Sequence, residues 1–397
     1  MSAAPPEPYD RPRAPAPGSR RSAGGKRRGT PRYKGTVLRV LVSAITAVAL
    51  VSGLSVVYLY RHLNSNIDAQ DITAALGDDR PDKVDTGNGE PLNVMVLGSD
   101  TRAGEGNGID GEAGGGVSDT TILLHISGDR TRAYGISIPR DSIVDRPDCG
   151  EDDEIPGATD VMWNEAFAAG GAACTIRQFE ASTGVRVDHF VEIDFNGFKG
   201  MVDAIDGVPV CVPEPIEDPA HGIQIAAGER ELRGDEALSY VRVRYNVGDG
   251  SDLGRTRRQQ EFIAAMVNKV VSAGTLTRVD RVVGFLDAAT KSVSTDEGLG
   301  STAKMGKLAM QLQGIGMGKI QFLTIPTAYY PRESDFWGRV YWTEQADAVW
   351  DRIRLDKPLT RDLRAGTIKA SRAPGAKKKA GGNAKDADAR RAVGLCA

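Results

Sequence analysis

Residues 40–60, VLVSAITAVALVSGLSVVYLY, run for 21 positions without a charge. As a helix with about 1.5 Å rise per residue, this run reaches roughly 31 Å, the thickness of a bilayer's hydrocarbon core. A helix apolar on every face lacks the polar stripe of a core helix in a soluble protein. A cleaved signal peptide is the competing reading, but the run is long for an h-region and no small-x-small cleavage site follows it directly. Tyr58 and Tyr60 stand where interfacial aromatics are expected, and the preceding flank is the basic one. The positive-inside rule then predicts an uncleaved signal anchor over 35–61 in the cell membrane, single-pass, with a cytoplasmic N-terminus and everything after it outside.

Charge divides the remainder. Residues 1–34 carry nine lysines and arginines against Glu7 and Asp10, in a Pro/Ala/Gly-rich setting that predicts a disordered cytoplasmic tail. Residues 62–90 read as a polar stalk or linker, and 358–397 as a low-complexity basic C-terminal tail. With the whole chain at net charge −3, the body between the tails is strongly acidic. That balance excludes nucleic acid as the main partner. Cys149, Cys174, Cys211 and Cys396 form no CxxC pair, and an even count outside the cell predicts disulfides. Cys149 and Cys174 flank one irregular segment and are the expected pair; Cys211 and Cys396 are left unassigned.

Within the body, 91–357, NVMVL (93–97), TTILLHIS (120–127) and AYGISI (133–138) read as strands. SGDRT (127–131) turns the second into the third. If all three run antiparallel, Asp100, Asp119 and Arg140 with Asp141 come to one end of the sheet. Helices are predicted at 174–183, 195–205, 234–241, 255–271, 277–292, 300–312 and 344–354, with strands VPVCV (208–212) and KIQFLTI (319–325). The expected fold is a single layered α/β/α domain with a central mixed sheet, preceded by one transmembrane helix.

SYVRVRYNVGDGSDLGRTRRQQEF (239–262) gathers arginines around a short acidic loop. Arg242 and Arg244 alternate with valines, so an extended segment would point both to one side. Arg255 and Gln259 share a helix face with Arg258 beside them, and Ser251 or Asp252 can cap that helix. Guanidinium forks at a helix N-terminus suit a phosphate or diphosphate. Asp100 and Asp119 suit Mg²⁺ (or Mn²⁺) beside such a phosphate. Each aspartate alone reads equally as a strand-end residue bonding local N–H groups. No P-loop, H-x-x-x-H or G-x-S-x-G motif is present, so NTPase, zinc-hydrolase and nucleophile-elbow chemistry have no support.

VMVLGSDTR, GGVSDTTILLHI, ISIPRDSIV, WNEAFAAGG, HFVEIDFNGFKGMVDAIDGVPV, L-x-G-x-x-AL-x-Y-x-R-x-R at 232–244 and DGSDLGRTRRQQ together resemble the LytR-CpsA-Psr family over about residues 92–272. The resemblance implies a membrane-anchored phosphotransferase that moves a glycopolymer from a polyprenyl diphosphate carrier to a peptidoglycan hydroxyl, with Mg²⁺. It implies metal binding by Asp100 and Asp119, diphosphate binding by Arg140, Arg242, Arg244, Arg255 and Gln259, and a lipid pocket at Phe195 and Phe198. Arg258 joins the diphosphate set by its place beside Gln259, and Asp141 is the candidate proton acceptor. Val117 and Met162 stand where the family often has Arg and Lys. A non-catalytic scaffold for lipid-linked glycopolymer, or a polyprenyl diphosphate hydrolase, are the alternative readings.

Overall fold

The computed structural model describes residues 33–85, 87, 89–100, 116, 118–219, 222–244, 246–271, 279–374 and 384–396. Residues 1–32 of the expected disordered tail 1–34, most of the Gly-rich loop after Asp100, and Val117 lie outside the described residues, while Tyr33 and Lys34 already belong to a helix. The chain divides into two units, Met1–Val56 and Val57–Ala397. Helix α1, Tyr33–Asn66, provides the described part of the first unit and continues into the second. Its stretch Gly35–Asn66 is long and apolar enough to cross a membrane.

The second unit is built on an eight-stranded mixed sheet. In chain order its strands are β1 (Asp68–Gln70), β2 (Leu92–Ser99), β3 (Ser118–Ile126), β4 (Ala133–Ile138), β5 (His189–Ile193), β6 (Val293–Asp296), β7 (Ile320–Thr324) and β8 (Ile368–Lys369). Their spatial order is β1-β6-β5-β2-β3-β4-β7-β8. The β3–β4 pair is antiparallel, as the turn residues predict, and so is β2–β3, whereas β5 joins β2 and β7 joins β4 in parallel. Parallel neighbours need crossovers, and the helices supply them.

Two apolar layers cover the sheet. One contains Val202 of α3 (Phe195–Ala204), Leu238 and Tyr240 of α4 (Gly234–Arg242) and Phe262 of α5 (Asp252–Val271). Phe285 of α6 (Val279–Lys291) and Leu308 of α7 (Thr302–Ile315) pack against it. The other joins Phe167 and Phe179 of α2 (Glu165–Thr183) to Val349 and Trp350 of α8 (Glu344–Arg354). Met95, Leu97, Leu123 and Ile136 feed this second layer, whereas Ile126, Ile320 and Phe322 feed the first. Strand side chains alternate between faces, so one sheet seeds both layers. α2 begins nine residues earlier than predicted and breaks at Gly170–Gly171, where Gly171 has φ 62°. A Cβ on Gly170 would fall 2.2 Å from Cys174 Sγ, so the close approach of the Cys149–Cys174 bridge requires glycine there.

Both predicted domain edges move outward. The segment read as a stalk packs on the body: β1 is an edge strand parallel to β6, Leu76 is buried, and Arg80 grips Glu180 with two hydrogen bonds of 2.9 and 2.6 Å. The segment read as a C-terminal tail supplies β8, antiparallel to β7, and helix α9 (Ala384–Ala392). Leu395 is buried, and Cys396 is bonded to Cys211 in the ribbon Val208–Val212. Sparse hydrophobicity made both segments look external; one edge-strand pairing or one covalent tie is enough to hold such a segment down.

Candidate active site

Strand register brings the first charged pair together. Thr121 pairs with Ile138, and two more antiparallel steps set Asp119 opposite Arg140. The β2–β3 register shifts from Gly98↔Thr120 to Ser99↔Ser118, which leaves Asp119 as the extra residue of a bulge. Bulges re-aim side chains at sheet ends. Arg140 Nη1 donates to Asp119 Oδ1 at 2.5 Å, and its Nε lies 3.4 Å from Asp252 Oδ1. Asp100, buried, follows Ser99 at the same end.

The second set arrives on α4 and α5. Ser251 Oγ accepts from Gly254 N at 2.9 Å, so Ser251 is the cap. Asp252, in the first helical turn, instead holds Arg255 Nη2 at 2.7 Å. Arg255 is only 4% exposed. The expected extended VRVRY is corrected: helix α4 runs through Arg242, and only after it does the backbone open, with Val243 at ψ 136°. Arg242 therefore leaves a helix end and lies over the Phe195 ring, 4.7 Å from its centroid, a cation–π contact. Arg244 lines a cavity of about 230 Å³ with Pro139, Asp141, Ser251, Asp252 and Tyr329.

Electrostatics confirm that these groups share one field. Burial alone would raise the Asp119 carboxyl, but the Arg140, Arg255 and Arg242 guanidinium groups outweigh it and hold it below the usual carboxylate range. Burial works against the Arg140 charge too, yet Asp119, Asp252 and Asp141 overcome it and hold its proton more firmly than usual. For Arg255, burial dominates and, helped by Arg140 and Arg244, pulls its pKa down against Asp252 and Asp119. Tyr329 is pushed up by burial and by Asp249, Asp252 and Asp141, against a hydrogen bond with Ser251.

The remaining expected residues divide. Asp141 lines the cavity, paired with Arg339 at 2.5 Å. Gln259 Nε2 donates to Val241 O at 3.0 Å and pins the end of α4. Arg258 does not join the expected diphosphate set at the cavity. It is fully buried and donates to the carbonyls of Val243 and Val393, tying the arginine-bearing turn to the C-terminal segment. Phe198 packs against Phe262 with the rings tilted by 38° and centroids 5.4 Å apart, and both it and Phe195 pack on the first apolar layer. Met162, at the end of the strand Ala158–Met162, directs its N–H to Glu165 Oε1 at 3.2 Å. Sequence reasoning missed Asp252 as the acid between two arginines, although its place beside Arg255 was a signal. Tyr329 and Arg339 had none, because a late hairpin delivers them.

Among the described residues, no three His, Cys, Asp or Glu side chains gather to hold a metal. Asp100 and Asp119, at adjacent strand ends, are the carboxylates that would hold Mg²⁺, which takes one or two carboxylates and completes its shell with waters and substrate oxygens; the Asp119 carboxylate is here engaged by Arg140.

A mixed sheet with arginines and carboxylates converging at one end defines the α/β domain. The LytR_cpsA_psr family model matches residues 59–354, and the chain belongs to that family. The match starts at the end of α1, in keeping with β1 being part of the domain. The probable cell wall biosynthesis protein LcpB of Corynebacterium glutamicum is 32% identical over 340 residues, 83% of this chain and 75% of that protein. Cell wall biosynthesis protein LcpA of the same species is 32% identical over 270 residues, 61% of this chain; the chain spans about half, 51%, of LcpA's length. The polyisoprenyl-teichoic acid–peptidoglycan teichoic acid transferase TagU of Enterococcus faecalis is 31% identical over 59% of this chain and 74% of its own. Among solved structures, the LytR-Csp2A-Psr enzyme from Actinomyces oris shares the fold with a TM-score of 0.55 at 19% identity, covering 72% of this chain and 96% of that one. Bacillus subtilis TagV does so at 0.52 and 24% identity, over 68% and 98%.

Proposed function

We propose that this protein is a glycopolymer transferase of the cell envelope. It moves a glycan from a polyprenyl diphosphate carrier to a hydroxyl of peptidoglycan, outside a membrane spanned by α1 with its N-terminus in the cytoplasm. The observation that carries this reading is the gathering of Arg140 between Asp119 and Asp252, with Arg255 on the same Asp252 oxygen and Arg244 in the wall of the adjoining cavity. Guanidinium groups so concentrated and so little hydrated suit an anion of high charge density. TagU, a relative, is named for transfer of teichoic acid from a polyisoprenyl carrier to peptidoglycan.

In this reading the diphosphate exchanges the carboxylate contacts of Arg140 and Arg255 for its own oxygens, with Arg242 and Arg244 alongside. The acceptor oxygen attacks the sugar-side phosphorus, the bond from that phosphorus to the bridging oxygen breaks, and polyprenyl phosphate leaves with the electron pair. The acceptor proton passes to a carboxylate, for which Asp141 at the cavity wall is the candidate. Arginines that stabilise charge on the non-bridging and leaving oxygens supply most of the rate, because phosphoryl transfer depends on positioning and electrostatics. Mg²⁺ held by Asp100 and Asp119 would neutralise charge on the diphosphate.

The test uses the full chain in detergent with a lipid diphosphate-linked glycan and peptidoglycan strands. Expected are polyprenyl phosphate and a glycan–peptidoglycan phosphodiester, formed with Mg²⁺ and lost with a chelator. Release of polyprenyl phosphate with free glycan phosphate as the sole product would make the protein a hydrolase. Tight binding without turnover would make it a scaffold.

A further inference from the structure

Among the described residues beyond α1, the exposed large apolar side chains are Met310, Tyr329, Trp337 and Tyr341, and three of these four belong to one hairpin. That hairpin pairs Thr327–Tyr329 with Val340–Trp342 and carries the loop 330–339, YPRESDFWGR. The loop is held by its own turns: Ser334 N to Pro331 O, Trp337 N to Ser334 O and Tyr330 N to Arg339 O, each 3.0 Å, and Arg339 N to Phe336 O at 2.9 Å. Tyr330 packs on Phe336 and Tyr341 with centroids 5.2 and 5.1 Å apart. A loop so ordered still holds the Trp337 indole 61% in water. Exposed aromatic surface on a rigid element marks an interaction surface.

Its place indicates for what. Tyr329, Gly338 and Val340 line the same cavity as Arg244 and Asp252, and Trp337 directly precedes Gly338. Arg339 is the partner of Asp141. The loop's charges, Arg332, Glu333, Asp335 and Arg339, balance to zero, which disfavours an anionic membrane surface or a nucleic acid. Aromatic faces beside balanced polar groups suit a neutral ring with C–H faces and hydroxyl edges, a pyranose sugar. In-line displacement further requires the attacking oxygen to enter opposite the leaving group. In the transfer reading, Phe195 beneath Arg242 is the candidate contact for the lipid end of the donor. Arg140 lies between Asp119 and Asp252, and the cavity with this hairpin lies on the Asp252 side.

We propose that the 330–339 hairpin, with Trp337 as its main anchor, is the acceptor subsite: it stacks pyranose rings of the glycan strand and presents a hydroxyl beside Asp141. This rests on the transfer reading above, but its binding measurements need no donor. The full chain in detergent is titrated with soluble, uncross-linked peptidoglycan strands. Trp337→Ala should bind them about tenfold or more weakly, as truncated aromatic anchors do, while Trp337→Phe stays near wild type. In the wild-type protein, saturating strands should shift the indole emission. In turnover assays, the KM for strands should rise in Trp337→Ala while the KM for donor holds. Equal binding by Trp337→Ala, no emission shift at saturation, or a loss confined to the donor's glycan would each overturn the assignment. None of these bears on diphosphate cleavage, so the two readings fail separately.

Discussion

Arg140 Nη1 sits 2.5 Å from Asp119 Oδ1 while its Nε lies 3.4 Å from Asp252 Oδ1, so one guanidinium joins the end of the β3–β4 hairpin to the first turn of α5. Arg255 shares the same Asp252 oxygen. Buried cations require partners, and here carboxylates fill that role. In the proposed reaction an incoming phosphate would exchange for these carboxylate contacts, and it would also reach the buried Arg140 and Arg255 Nε atoms, which make no hydrogen bond within the described residues. Affinity for the anion is set by a difference, which favours a ligand more highly charged than a single carboxylate.

Replacing Arg244 with Ala should lower polyprenyl phosphate release on the order of 10²-fold or more, the loss typical of removing a donor to developing charge. Arg244→Lys should recover only part of it, because an ammonium cannot bind two oxygens as a planar fork. Full rate in Arg244→Ala, measured by product release at saturating donor, would remove Arg244 from the mechanism.

Arg258→Met should behave differently from Arg244→Ala. It strips the Val243 and Val393 carbonyls of a buried donor and should destabilise the fold by about 3 kcal/mol. Urea denaturation of the two variants separates the roles, since Arg244 lies at a cavity wall and its loss should move the midpoint less than the loss of the fully buried Arg258.

Asp356 anchors the far end of the sheet. Its carboxylate accepts from Gly128 N at 2.9 Å, from Arg132 at 2.6 Å and from His125 Nε2 at 3.2 Å. Burial raises its pKa, but His125, the Gly128 N–H and Arg132 outweigh that and hold it below 3.8. A depressed folded value means that the stabilisation is present above 3.8 and is lost as pH falls through the folded value. Asp356→Asn should cost about 3 kcal/mol near neutral pH. The gap to wild type should close in strong acid. A gap independent of pH would show that the carboxylate charge is not what matters.

Non-reducing peptide mapping should recover Cys149–Cys174 and Cys211–Cys396 as linked pairs. Cys396→Ser opens a loop spanning a separation of 185 residues and should cost about 2–5 kcal/mol on the chain-entropy account. It should also expose the C-terminal segment to protease, although Arg390 still reaches Glu261 at 2.5 Å. Free thiols at Cys211 and Cys396 in protein taken from the envelope would contradict this pairing.

Much of the site was legible in the residues. Strand alternation and one tight turn bring Asp100, Asp119 and Arg140 to a common sheet end, and helical spacing identifies α5 with Arg255 at its start. The apolar run in α1 declares itself by length alone. These are local consequences of backbone periodicity, and periodicity is written in the order of residues. Which way Arg258 turns, that Asp252 stands between Arg140 and Arg255, and that Tyr329, Trp337 and Arg339 reach the cavity were decided by packing between segments far apart in the chain. The same holds for the two ends: β1 and β8 carry little hydrophobicity and become structural because neighbouring strands offer them hydrogen bonds. Patterns along a chain record which face is apolar, but only the assembled sheet and its helices determine which buried carbonyl or carboxylate each arginine meets.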